Sequence, residues 1–501
     1  MRSSPTPVLR PGELALAAPA CLAATFLALG LARLPGPFGP ALAVAVALVA
    51  FALVVPRPER VLFVAIALDL ALRLDVTIGY RDAAAALGAH AGIELSLTTC
   101  AVVALTARLA WEWLCRAQAP DPIPAGWSLP LGVYVAAVLA STVLASDRFL
   151  ALGWLILLVE SALLYVYLVR ALRDAADLRF FLGCLVGSVA LAGSLIVVQR
   201  FLRAESVVGY PLVLEEVPGR APRAAGTMGS PNAAGSFFAM MLPVTAGVAL
   251  ARFSRGLRLA AGLSFAIGLL ALGTTLSRSA MLAAVIGLAS LFVTAARRGW
   301  LTGRATIAVI ATVTLSTAVF GPALLVRVRG DEGSATSRVP LAGLAMDVIA
   351  TAPVLGVGPD NYTVALPAVV TPDFCDESLA SGCHNQHWTY TVHNQYLLVW
   401  AETGAVGLLC FLLFLGTLIR NGTRAARRFR DSAVGPLVAG CVAAVAVHMI
   451  DMLFDLANAR LQLQSLLIVA AVLAAASIAA SRDTDPTAPD HPVAAVRPGD
   501  R

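Results

Sequence analysis

The dipeptide His393-Asn394 is followed, nine residues on, by Gly404-Ala405-Val406-Gly407. With an unperturbed pKa of about 6.5, a histidine can take a proton from a hydroxyl and release it again near neutral pH. On an uninterrupted helix turning about 100° per residue, Gly404 and Gly407 fall close to the face that carries His393. Small residues on that face admit a neighbouring helix, which would fix the imidazole in place.

Arginines offer a second kind of chemistry, because the planar guanidinium fork matches phosphate and diphosphate oxygens. Arg278 lies in Thr274-Thr275-Leu276-Ser277-Arg278-Ser279, a turn so short that its charge is held between two helix ends. Arg220 and Arg223 open the loop that runs through Gly226 and Gly229 to Pro231-Asn232, where proline and asparagine suit a turn and a helix start. Arg338 begins an amphipathic stretch through Asp347, which the segment Pro353 to Tyr362, including Asn361, then breaks. Plainer readings exist for the same residues: an interfacial histidine over a packing groove, an arginine reaching for lipid headgroups, an ordinary surface loop.

Other constellations are less productive. Gly356 and Gly358 follow no parallel strand and are too few for a dinucleotide loop. His384, His387 and His393 gather near Cys383 and invite a zinc site, but the spacing is not that of helical HExxH, and Cys383 has a competing disulfide partner in Cys375. The expectation is no metal and no cofactor. His448, Asp451 and Asp455 share a helix face and read first as a buried, mutually satisfied polar cluster, with support of the same outer site as the alternative. Glu402 lies about half a turn off the His393 face of a regular helix.

The elements that must position these residues are membrane spans. Of 501 residues, 59% are apolar and 13% charged, which excludes a soluble enzyme, a disordered chain and a membrane β-barrel. At roughly 20 residues per span, apolar runs predict an all-α polytopic protein with about 14 transmembrane helices (12–14). They lie near 14–33, 38–56, 61–79, 93–115, 129–146, 150–169, 180–202, 232–251, 257–276, 279–296, 305–326, 394–419, 434–455 and 461–481. The first, after Arg2 and Arg10, reads as a retained span rather than a cleaved signal. Asp69 and Arg73, four apart in the third, are expected to pair on one helix face. The organisation is eleven spans over 1–326, a large helical periplasmic loop over 327–393, three spans over 394–481 and a disordered cytoplasmic tail over 482–501.

All 36 basic residues are arginine, a trait read as genome composition rather than function. With both termini cytoplasmic, 22 of them fall in inner segments and 11 in outer ones, as the positive-inside rule requires. The net charge of +6 thus belongs to topology and implies no nucleic acid. The long loops, 203–231 and 327–393, are both outer, which directs attention to that face.

The pattern His393-Asn394-x9-Gly404-x-x-Gly407 resembles the signature of the O-antigen ligase and polymerase superfamily. The segment with Arg223, Gly226, Thr227, Pro231 and Asn232, the Ser277-Arg278-Ser279 turn, Arg338 and the Pro353 to Tyr362 motif are similar to the family in the same order. The resemblance implies a metal-independent, inverting membrane glycosyltransferase at the periplasmic face of the bacterial inner membrane. Its donor would be an undecaprenyl-diphosphate-linked glycan, and its acceptor a hydroxyl of lipid A-core in lipopolysaccharide biosynthesis or, in polymerases, another lipid-linked glycan. On this reading His393, Arg278 and Arg338 are catalytic. Arg223, Arg220, Asn232, Asn361 and Asn394 bind substrate, and Gly404 and Gly407 pack helices. A lipid or polysaccharide transporter is the alternative from another class.

Overall fold

The computed structural model describes residues 38–55, 58–81, 92–116, 122–207, 210–216, 221–301, 303–329, 338–370, 391–457 and 459–483. The predicted first span, Arg220, Cys375, Cys383, His384, His387 and the tail beyond 483 lie outside these residues. Helix makes up 77% of the structure.

The chain begins with α1 (Phe38–Val54) and α2 (Glu59–Leu72), followed by a hairpin of β1 (Asp75–Ile78) and β2 (Ile93–Ser96). Next come α3 (Leu97–Arg116), α4 (Ala125–Leu144), α5 (Arg148–Ala171) and α6 (Ala175–Leu202). Two small antiparallel hairpins follow, β3 (Ser206–Val207) with β4 (Tyr210–Pro211) and β5 (Val213–Glu215) with β6 (Arg223–Gly226). Then come α7 (Pro231–Leu250), α8 (Arg255–Thr275), α9 (Arg278–Arg297), α10 (Gly303–Arg329), α11 (Arg338–Thr351) and the short α12 (Tyr362–Ala365). The chain closes with α13 (Gln395–Arg428), α14 (Gly435–Asp451) and α15 (Arg460–Asp483). Among the described residues eight helices, α4 to α9, α13 and α15, are long and apolar enough to cross a bilayer. Ala43–Leu53, Leu97–Trp111 and Gly435–Asp451 are shorter apolar stretches.

Local sequence starts many of these helices. Asp147 caps α5 and Asp174 caps α6, each accepting two backbone N–H groups. Ser230 caps α7, with Pro231 at the first position, where a missing N–H costs nothing. Helices α7 and α15 are the most deeply buried of the spans. Helix α7 meets α14 at backbone contact: a Cβ on Gly440 would strike the Pro243 carbonyl and crowd Gly247. Small residues at this crossing replace a hydrophobic driving force that lipid cannot supply.

The two ends of the bundle differ. At one end Arg252 N–H donates to the Ala433 carbonyl at 3.0 Å, joining the α7–α8 turn to the α13–α14 turn. At the other end Arg460, 3% exposed, pairs with Asp69 at 2.7 Å, Glu94 at 3.3 Å and Asp75 at 3.4 Å. The third predicted span is therefore corrected: α2 stops at Leu72, and Arg73 is its left-handed cap with φ 51°. Asp69 bonds Arg460 from the far end of the sequence, while Arg73 lies 3.7 Å from Asp75 and 3.8 Å from Glu94. The fourth begins as strand, with helix only from Leu97.

Removing one member of a buried ion pair leaves the other charge uncompensated, which costs about 3–5 kcal/mol. Asp69→Asn is therefore expected to lower the melting temperature of the detergent-purified protein clearly. An unchanged melting temperature in Asp69→Asn would show that the pair contributes nothing to this end of the fold.

Candidate functional site

The site is assembled around a break in α13. Gly404 has φ 69° and ψ −176° in the middle of this helix, a conformation that essentially only glycine adopts. The loop that ends α11 inserts there. Val357 and Gly358 N–H donate to the Ala401 and Glu402 carbonyls at 3.0 and 2.9 Å, and Ala405 and Val406 N–H donate to the Pro353 and Val354 carbonyls at 2.9 and 3.2 Å. The loop thus takes over backbone groups that the break would leave unpaired within an apolar segment. A Cβ on Gly404 would strike the Val354 carbonyl, and one on Gly356 the Glu402 carbonyl. This changes the geometry expected from the sequence, since helix α13 starts after His393 and turns at Gly404. No single uninterrupted face joins them. The neighbour of Gly404 is loop backbone, and a Cβ on Gly407 would meet Thr403 of its own helix.

His393 stands just ahead of α13. Asn394 caps that helix, accepting from Tyr396 and Leu397 N–H at 3.0 Å, and its Nδ2 donates to the Leu453 carbonyl at 3.1 Å. Gln395 N–H donates to the Met452 carbonyl at 2.9 Å, and Gln395 Oε1 accepts from Ala457 N–H at 2.8 Å. These bonds stitch the start of α13 to the turn after α14 and bring His393 Nδ1 to 3.5 Å from Asp455 Oδ1. The imidazole is 44% exposed and the carboxyl 10%. An ionised Asp455 favours the tautomer with the proton on Nδ1, so Nε2 keeps its lone pair toward solvent and can accept a proton.

One turn back on α14, Asp451 is buried among polar groups from three other elements. The hydroxyls of Ser236 on α7 and Ser279 on α9 lie beside its carboxyl, and Arg338 at the start of α11 and Asp455 act on it electrostatically. Ser279 directly follows Arg278, the first residue of α9. The site thus brings together His393, Asp455, Asp451 and Arg338, with Arg278 one residue from the same cluster. His448, a turn deeper on α14, is buried at 1% exposed.

Arg223 is 6% exposed. Its Nε donates to the Thr275 carbonyl at 2.9 Å, Nη2 to Asn232 Oδ1, and Nη1 to Glu215 at 3.1 and 3.3 Å. It thereby ties the β5–β6 hairpin and the start of α7 to the turn that presents Arg278. Gly226 N–H donates to Gln199 Oε1 at 2.8 Å and Thr227 Oγ1 to the Ala71 carbonyl at 2.7 Å, so this loop is ordered on both sides. Asn361 is fully buried and ties its loop to the cap of α5: its side chain accepts from Asp147 N–H at 2.7 Å and donates to the Asp147 and Pro359 carbonyls at 3.0 and 2.9 Å. Among the described residues no group of three or more His, Cys, Asp or Glu could hold a metal ion.

Residues 263–412 match the protein-family model described as O-antigen ligase. By this segment the chain is similar to the O-antigen ligase superfamily. The O-antigen ligase match contains Arg278, Arg338, Asn361, His393, Gly404 and Gly407, and it ends before Asp451 and Asp455. No curated protein matches the chain. Several partners in the candidate site carry no local signal. Asp455 pairs with His393 across 62 residues, and Ser236 and Glu215 stand in no motif. Only the alternation of a short hairpin could have suggested that Glu215 faces Arg223.

Proposed function

We propose that the protein is a multi-pass inner-membrane glycosyltransferase that moves a glycan from undecaprenyl diphosphate to an acceptor hydroxyl at the periplasmic face. The acceptor in this reading is lipid A-core or a similar glycolipid, as in a ligase. A polymerase would instead use a second lipid-linked glycan. The observation that carries the proposal is the convergence of the His393–Asp455 pair with Arg338 and the Arg278 turn at one end of the bundle. Fourteen spans, both termini in the cytoplasm and the 327–393 loop on the active side belong to this reading, which agrees with the distribution of arginine.

The reaction follows from these groups. The acceptor oxygen attacks the anomeric carbon from the side opposite the diphosphate, forming the new glycosidic bond as the bond to the diphosphate oxygen breaks. The anomeric centre is inverted. His393 Nε2 takes the proton of the acceptor hydroxyl, and Asp455 stabilises the imidazolium that results. The diphosphate leaves with an additional negative charge, which Arg278 and Arg338 neutralise, so that stabilisation grows with the charge itself. Arg223 adds a third guanidinium with Asn232 as its holder. Asn361 and Asn394 make the backbone bonds described above, so this reading gives them positioning work. No metal or cofactor enters these steps.

The direct test is transfer by the purified protein in lipid nanodiscs, with undecaprenyl-diphosphate glycan and lipid A-core, read by mass spectrometry. Product without any ion gradient is the expected result. Flux of glycan lipid across vesicles without bond formation would favour a transporter, and extension of the donor glycan alone would favour a polymerase. Arg278→Ala should lower transfer about 10²- to 10³-fold at normal protein level, the scale for losing one group that stabilises transition-state charge. Arg278→Lys should recover part of it. Undiminished transfer in Arg278→Ala would remove this residue from the mechanism.

A further inference from the structure

Three features of Arg223 make its link to Glu215 unlike its other two bonds. The Thr275 carbonyl is buried and Asn232 stands on the first turn of α7, so both belong to the frame of the site. Glu215 lies instead on the outer strand of the β5–β6 hairpin, opposite Arg223 in the strand register, and its side chain is 40% exposed. Both carboxylate oxygens approach a single guanidinium nitrogen, Nη1, at 3.1 and 3.3 Å. A guanidinium and a carboxylate at their best form two parallel bonds of about 2.7–2.9 Å from two nitrogens. The observed pair is longer and engages one nitrogen only.

This arrangement has a physical reason. A guanidinium almost out of water and without a counter-charge is costly, so something anionic must accompany Arg223 when the site holds no substrate. A carboxylate on an exposed hairpin fills that need while remaining easy to remove. A diphosphate carries more charge than a carboxylate and presents more oxygens to the same fork.

We propose that Glu215 is a resident counter-ion that holds the Arg223 position in the empty enzyme and is displaced when the donor's diphosphate arrives. Glu215 is then a specificity-determining residue. It sets how strongly an anionic headgroup must bind before the hairpin releases the guanidinium, and it discriminates against monoanions, which cannot outcompete it. The inference rests on the reading of the arginine cluster as a diphosphate site.

Inorganic pyrophosphate is the probe, titrated calorimetrically into the full-length protein in nanodiscs. A partly exposed pair contributes about 1 kcal/mol or less, so Glu215→Gln should bind pyrophosphate about three- to fivefold more tightly than wild type. Acetate, which wild type excludes, should bind measurably. Glu215→Asp, which keeps the charge but draws it back, should move in the same direction by less and keeps the test open should the Gln variant fold poorly. Glu216→Gln, which removes the exposed neighbouring carboxylate, should change nothing. Equal tightening by Glu215→Gln and Glu216→Gln would reduce the effect to general charge and overturn the proposal. So would unchanged or weaker binding in both Glu215 variants. Arg223→Ala separates the two levels of the argument. Loss of pyrophosphate binding in Arg223→Ala alongside no gain in Glu215→Gln removes Glu215 alone. Wild type that fails to bind pyrophosphate removes the diphosphate site and this inference with it.

Discussion

On the proposed mechanism, His393→Ala is expected to lower the turnover of glycan transfer by about 10²- to 10⁴-fold, the range for losing a positioned general base, while donor binding changes little. The split follows from the geometry. His393 reaches the site through the turn before α13 and holds Asp455 through Nδ1 at 3.5 Å, leaving Nε2 for the acceptor hydroxyl, whereas the diphosphate is assigned to guanidinium groups. The measurement is steady-state transfer in nanodiscs, with pyrophosphate binding followed separately. Asp455→Asn should reduce turnover in the same direction and by less, because the imidazole survives but its tautomer and charge are no longer held. Weakened pyrophosphate binding in His393→Ala, matching the loss of turnover, would assign the residue to the frame of the site. Full activity would exclude it from proton transfer.

Gly404→Val removes most of the folded protein. At φ 69° and ψ −176° any side chain is strained, by about 1–3 kcal/mol. The added Cβ would also strike the Val354 carbonyl in the inserted loop. Expelling that loop would leave the N–H groups of Val357, Gly358, Ala405 and Val406 without the acceptors they now have, each loss costing about 1–3 kcal/mol when buried. The sum is comparable to the whole stability of an ordinary protein. Gel filtration of detergent-solubilised protein should show a loss of monodisperse material, and Gly404→Ala should show a milder form of it with a lowered melting temperature. Gly416→Ala on the same helix, where a Cβ meets open space, serves as the control and should be neutral. A normal melting temperature and normal transfer in Gly404→Ala would show that the break in α13 is incidental.

The break shows where linear reasoning succeeds and where it stops. His393, Gly404 and Gly407 all fall within the matched family segment. Placing them on one regular helix face was an extrapolation of helical periodicity, and periodicity holds only while backbone bonds stay within the segment. The loop from Pro353 to Gly358 supplies competing partners from outside the helix, so no count along the helix could foresee the turn. Asp69 is a similar case. Its i, i+4 relation to Arg73 is a valid local expectation, but Arg460 arrives from the other end of the chain and binds the carboxylate at 2.7 Å.

Residue order alone settled the solvent, the class of fold and the chemistry available. Apolar runs of span length suit a bilayer, and a histidine and a few arginines at the ends of spans narrow the chemistry. Those are properties of composition and of neighbours along the chain. Tertiary packing decided which distant charges became partners: Asp455 for His393 and Arg460 for Asp69. Each of these two pairings joins segments that meet only when the bundle closes, whereas Glu215 faces Arg223 within one hairpin. Where a charge is shut away from water, as at Asp69 and Arg460, the partner nearest in space prevails over the one nearest in sequence.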